Sequence, residues 1–178
     1  LAGVTLTEQQ YSPEESERFE KARRIAEAWE ATNEFCISCL SSEQNAVAKT
    51  MRADSVRNYL TNSRGYSPGL FRLSGQAQDR DTPKMELGYM PGLGELAKHL
   101  RNKDFTQEEI NTIVAKIEKS GTAIGQTHVL SFPYRDHRGT IRGMVFRAID
   151  RDVTPKYLYS SFNRSEVLFN LKALSKDT

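Results

Sequence analysis

The hydrophobic period of the chain changes once, near Gly121, and that change limits the fold more than any other feature. Upstream, apolar residues recur every three or four positions, as in helices with one buried stripe. Downstream they alternate, as in strands with one buried face. Helices first and strands late predict an α+β fold, with a helical N-terminal region packed on a small strand-rich core.

The helical half carries two clear start signals. Ser12-Pro13-Glu14-Glu15 joins a capping serine, a proline at the first helical position and a glutamate at the third. Phe19, Ala22, Ala26 and Trp29 follow as a stripe that predicts a helix to about residue 32. Helical pattern resumes over 33–60 and stops in the turn-forming run 62–69. Residues 1–65 therefore read as a helical lobe and 66–178 as an α+β core. Within that core, 70–73 reads as a short strand, 76–84 as a loop and 92–100 as a helix. Thr106-Gln107-Glu108-Glu109 is a second capping box, before Ile110, Ile113, Val114 and Ile117 on one face, with Gly121 as the closing residue. Strands are expected at 127–134 and 140–149 around a turn at 136–139, then a loop from Pro155 and a last strand at 167–174.

Charge and cysteine content narrow the function classes. The chain has 178 residues, 25 Lys plus Arg against 23 Asp plus Glu, and a net charge of +2. That balance gives no global attraction to polyanions, so no nucleic-acid partner is expected. No apolar run approaches the roughly 18 residues of a membrane span. Cys36 and Cys39 share a helix face and read as two small buried thiols, since no second pair completes a zinc site. The three histidines lack ligand spacing, so no metal is assigned. Arg135, Arg138, Arg142, Arg147 and Arg151 read as a solvated hairpin face, with a docking patch for an acidic protein surface as the functional alternative. The first residue is Leu1, which suits a removed leader or a trimmed chain equally.

Three separated segments form an order. Leu70-Phe71-Arg72-Leu73-Ser74-Gly75 is an arginine in a short strand, Val129-Leu130-Ser131-Phe132-Pro133 a serine at a strand end, and Ser165-Glu166-Val167-Leu168-Phe169 a glutamate opening a strand. This order resembles the mono-ADP-ribosyltransferases of the arginine-serine-glutamate type, over about residues 66–174. The resemblance implies an ADP-ribosyltransferase-like core and an NAD-dependent transferase of bacterial toxin or effector type, a virulence factor secreted or injected to act on a host protein. NAD+ would be its substrate. Glu166 would stabilise the ribosyl cation, Arg72 would bind the dinucleotide with Ser74 and Gly75, and Ser131 would brace the site beside Phe132. Phe162 and Arg164 would meet the protein target. Arg164 stands where the family carries Glu or Gln, which leaves a non-arginine acceptor, NAD hydrolysis or inactivity open.

Two other readings compete. The run from Gly69 to Gly75 looks like the arginine-finger loop of Rho-family GTPase-activating domains, with Arg72 as the finger. Residues 129–149 resemble the closing hairpin of PAS-like Cache sensor domains, which would bind a small ligand.

Overall fold

A computed structural model describes residues 12–42, 45–68, 86–119, 121 and 123–163. Helix α1 (Pro13–Ser41) leads into a 3-10 turn (Ala46–Lys49), helix α2 (Met51–Asn58) and a π-helical turn (Tyr59–Ser63). Strand β1 (Gly88–Tyr89), helices α3 (Leu93–Asn102) and α4 (Gln107–Glu118), and strands β2 (His128–Arg135), β3 (Ile141–Ala148) and β4 (Tyr157–Tyr159) follow. The sheet is antiparallel in the order β1-β2-β3-β4. The expected α+β fold is present. The expected strands at 70–73 and 167–174 and the loop at 76–84 lie outside the described residues.

Both capping boxes form. The Ser12 side chain accepts from the Glu15 amide while Glu15 accepts from the Ser12 amide, and Thr106 and Glu109 repeat the exchange. Gly121 has φ +113° and its amide donates to Glu118 O at 2.8 Å, so it closes α4 as expected. α1 differs from expectation in two ways. It runs unbroken to Ser41, because its mid-helix polar residues find partners. Thr32 Oγ1 donates to Ala28 O at 2.7 Å, and Asn33 Nδ2 donates to Glu86 at 3.3 Å. The buried stripe also sits later than the spacing suggested. Phe19 is 56% exposed, and burial begins at Ala28 and Trp29, continuing through Phe35, Cys36, Cys39 and Leu40. The first turns are instead held by side-chain ion pairs, Lys21–Glu17 at 2.9 Å and Arg23 with both Glu20 and Glu27.

One apolar core gathers Trp29, Cys36 and Leu40 of α1, Val56 and Leu60, Leu96 and Leu100 of α3, Ile110, Ile113 and Ile117 of α4, and Val129, Met144 and Phe146 of the sheet. It draws on both sides of residue 65. α1 lies against β1 so closely that a β-carbon on Gly88 would stand 2.6 Å from Cys36 carbons. Only glycine fits there. The thiols of Cys36 and Cys39 are buried and unbridged, and burial pushes each up to about 12, which makes them inert packing groups. Among the described residues no helix is long and apolar enough to cross a membrane.

The polar counterpart of this core is Arg135, expected in a solvated face and found 7% exposed. Its Nε and Nη2 donate to Glu86 at 2.8 and 2.5 Å, its Nη1 and Nη2 to Glu30, and Nη1 also to Gly139 O at 2.7 Å. All five guanidinium hydrogens are used. Burial opposes the charge, but Glu86 and Glu30 outweigh it and hold the group above its ordinary value. On the other side of α1, Arg24 donates to Glu109 through Nε at 2.8 Å and Nη2 at 3.0 Å, which fixes α4.

Two stability predictions follow from these pairs. Replacing Arg135 by Met leaves two clustered carboxylates without their cation. It should cost about 3 kcal/mol, seen as a fall of roughly 6–12 °C in Tm; a fall within error would show the node to be dispensable. The Arg24 hydrogen bonds, with help from the Thr106 cap, hold the Glu109 carboxyl down to about 2 from its ordinary 4.5. Because the folded value is depressed, this contribution is complete above pH 4.5 and disappears as pH falls toward 2. Urea unfolding of Glu109→Gln across that interval should therefore show a shallower loss of stability with acid than the unaltered chain.

Candidate functional site

A strand presents alternate residues to opposite faces, so the register of the sheet sorts its side chains. Ser131 pairs with Phe146 and Pro133 with Met144, and these point toward α1 and the core. The opposite face takes Phe132 beside Val145 and Tyr159, Tyr134 beside Gly143, and Arg147 between Leu130 and Tyr157. This second face is aromatic and cationic. Phe132 meets Tyr157 edge-on at 6.5 Å, Tyr134 meets Tyr159 at 6.4 Å, and Phe162 tilts over Tyr134 at 5.5 Å between centroids. Val145 is completely buried beneath them, while Tyr157 is 37% exposed.

Arg147 is the centre of this face. Its guanidinium carbon lies 4.8 Å from the Tyr157 ring centroid and 5.7 Å from that of Tyr59, in the π-helical turn. Nη1 donates to the Tyr157 hydroxyl. Nε is buried without a hydrogen-bond partner, and no carboxylate pairs with the group among the described residues. Arg64 lies 5.9 Å over the far ring, Tyr59, and adds a second cation at the same edge. A guanidinium beside two tyrosine rings keeps its charge, because ring faces attract cations without neutralising them. Such a group has an edge to offer to an anion.

The supports of the site are polar and local. His128, 2% exposed, is fixed by Thr127 Oγ1 at 3.0 Å and by Pro155 O at 2.7 Å, so it is a structural histidine. Ser160 accepts the Met144 amide at 2.8 Å on its hydroxyl, and Ser161 donates to Lys116 O at 2.8 Å, which ties the end of β4 to α4. Asp136 is 4% exposed and shapes the β2–β3 turn by accepting the Arg138 and Thr140 amides and Arg142 Nε at 2.8 Å. From His128 to Asn163 the chain carries six Arg or Lys against three Asp, whereas α1 carries seven Glu against four Arg or Lys. Among the described residues no three His, Cys, Asp or Glu side chains lie close enough to hold a metal ion.

Of the residues singled out in the sequence, Arg72, Ser74, Gly75, Arg164 and Glu166 lie outside the described residues. Ser131 is wholly buried on the α1 side, where its hydroxyl meets Cys36 beside Gly88. Phe132 and Phe162 are on the opposite face, so the structure does not join Ser131 to them. Arg147 is named in the sequence only as one of five hairpin arginines, and neither Tyr59 nor Tyr157 is linked to it there. The available signal was Tyr157-Leu158-Tyr159, an aromatic alternation after a strand that carries an arginine; it read as loop.

The family model described as DNA primase catalytic core, N-terminal domain, matches residues 44–175, and the chain belongs to that family. Solved structures give the same fold. The RNA polymerase domain of Mycobacterium tuberculosis primase DnaG, in complex with a double-stranded DNA oligomer with a six-nucleotide overhang, matches with a TM-score of 0.60 and 24% identity over 84% of this chain and 43% of that one. A second structure of the RNA polymerase domain of Mycobacterium tuberculosis primase DnaG gives 0.58 and 25% over 83% and 44%. A DnaG primase catalytic domain bound to single-stranded DNA gives 0.53 and 23% over 82% and 41%. The chain thus spans less than half the length of these relatives. No curated protein matches the sequence.

These findings overturn the ADP-ribosyltransferase reading, and with it NAD+ as substrate, the toxin or effector role and a host-protein target. The GTPase-activating and Cache-sensor alternatives fall with it. The expectation of no nucleic-acid partner is contradicted as well: solved structures of similar fold are primase domains in complex with DNA. The whole-chain charge does not describe this face, where Arg147 stands apart from the glutamates of α1.

The packing of this face is testable at Gly143. A β-carbon there would fall 2.6 Å from both Phe162 Cγ and Ser160 Oγ. Gly143→Ala should cost about 1–3 kcal/mol by overpacking. In combination with Phe162→Ala the penalty should shrink; strictly additive urea-unfolding energies would show that Phe162 does not seat on Gly143.

Proposed function

We propose that this member of the primase catalytic-core N-terminal family is the nucleic-acid-holding part of a primase, an enzyme that makes RNA primers on DNA by nucleotidyl transfer. The observation that carries the reading is Arg147, held between Tyr59 and Tyr157 with no carboxylate partner among the described residues, on the sheet face away from α1. Phosphates are attracted to such a cation, and unpaired bases stack on exposed aromatic rings such as Tyr157. Arg64, over the Tyr59 ring and without an ion pair among the described residues, adds a second cation at this point. Of the cations between His128 and Asn163, Arg135 and Arg142 are neutralised by carboxylates, and Arg147 keeps its charge on this face.

Nucleotidyl transfer uses nucleoside triphosphates and divalent ions, which clustered carboxylates hold. The described residues contain no such cluster and do not fit that role. In this reading the chain grips the template, and the remainder of the larger enzyme carries out bond formation. Its own residues bind and orient: Arg147 holds the backbone, Tyr157 receives a base, and the Ser160 and His128 hydrogen bonds keep β4 in register beneath them.

The test is direct binding of the chain to a labelled single-stranded oligonucleotide at low salt. Tyr157→Ala should weaken binding by about 1–3 kcal/mol, the worth of one stacked base. Arg147→Ala should weaken it comparably and flatten its salt dependence, because a phosphate contact is removed. Wild-type affinity in the Arg147 variant, with folding intact, would sink this reading.

A further inference from the structure

We propose that Lys156 is a positioning residue for the Arg147–Tyr157 pair and not itself a contact to the strand. The consequence for binding rests on the nucleic-acid reading above; the geometry does not. A lysine next to an exposed tyrosine that pairs with an arginine free of carboxylates would ordinarily serve as a phosphate ligand. The structure directs its ammonium elsewhere. Lys156 Nζ donates to Asp150 O at 2.9 Å and also to Arg151 O, so the segment joining β3 to β4 closes on its own lysine. An ammonium has three donors, and two are taken inside the loop.

The backbone of the same residue completes the clamp. Lys156 O accepts the Ala148 amide at 3.0 Å, and the preceding carbonyl, Pro155 O, is held by His128 Nε2 at 2.7 Å. Asp150 is fixed from outside by Arg52 Nη2 at 3.1 Å, which also donates to Gln126 O. Ala148 follows Arg147 and Lys156 precedes Tyr157, so each member of the stacked pair is one residue from the clamp. Without the ammonium, two loop carbonyls lose their donor and the register that sets Tyr157 against Arg147 loses its brace. Phosphate binding by Lys156 would require it to surrender those same bonds.

The experiment uses Lys156→Met and Lys156→Arg in the full chain, titrated with a labelled oligothymidylate over a range of potassium chloride. Both variants should bind roughly tenfold more weakly, with the slope of log affinity against log salt unchanged. Arg147→Met should lower that slope by about 0.7. If Lys156→Arg binds like the unaltered chain and Lys156→Met lowers the slope as Arg147→Met does, Lys156 is a phosphate ligand and the proposal is overturned. A second readout does not need nucleic acid. The buried Arg147 Nε–H should exchange slowly with solvent by NMR and become fast in Lys156→Met, and unchanged exchange also overturns the proposal. Loss of that protection in a chain that binds no oligonucleotide would leave the positioning role standing and remove the reading it serves.

Discussion

The fold depends on one guanidinium with no unused donor. Arg135 sits at the end of β2, Glu30 is midway along α1, Glu86 precedes β1 and Gly139 belongs to the adjoining β2–β3 turn, so five hydrogen bonds join α1, the approach to β1 and the β2–β3 hairpin. A lysine could not replace it, because the two carboxylates are each met by a flat fork of paired donors. Apolar burial brings α1 to the sheet without fixing its rotation or height, since packing is only weakly directional. The arginine fixes both. Gly88 then permits the close approach, and the core from Trp29 to Phe146 fills the space that this docking defines.

That docking also divides the charge. With α1 committed to one face of the sheet, its glutamates are on that side, and the other face carries tyrosines and Arg147. The aromatic layer seals Val145 while Tyr157 stays 37% exposed, so it stabilises the sheet and still presents ring surface to solvent. The π-helical turn matters for the same reason. It brings Tyr59 from the helical region over Arg147, so the site is built by both halves of the chain. π-helical turns often occur at functional positions because they aim a side chain that a regular helix would point elsewhere.

The legible parts of the sequence were those governed by neighbours along the chain. Capping boxes at Ser12 and Thr106, the closing Gly121 and the turn at residues 136–139 depend on contacts within a few positions, and each is found. The α1 stripe was misplaced because spacing reports which residues share a face, not which stretch of a 29-residue helix, roughly 43 Å long, meets the core. Phe19 shares the face and is exposed. β1 has two residues and β4 three, too short to show a period, and their pairing partners lie far along the chain. Arg135 read as solvated because its carboxylates are 105 and 49 positions away.

The candidate site failed to appear for a related reason. Arginine, serine and glutamate in a given order are common in any mixed chain, and order alone says nothing of which strand face each occupies. Ser131 and Phe132 are adjacent in sequence yet lie on opposite sides of the sheet, so their side chains do not meet in one site. A face-by-face reading would have found Phe132, Tyr134, Arg147, Tyr157 and Tyr159 together. Net charge says nothing of them, since a total of +2 is compatible with an acidic helix and an arginine without a carboxylate on opposite sides of one small core. For a chain of this kind the charge of each face, not the charge of the whole, decides what the surface attracts.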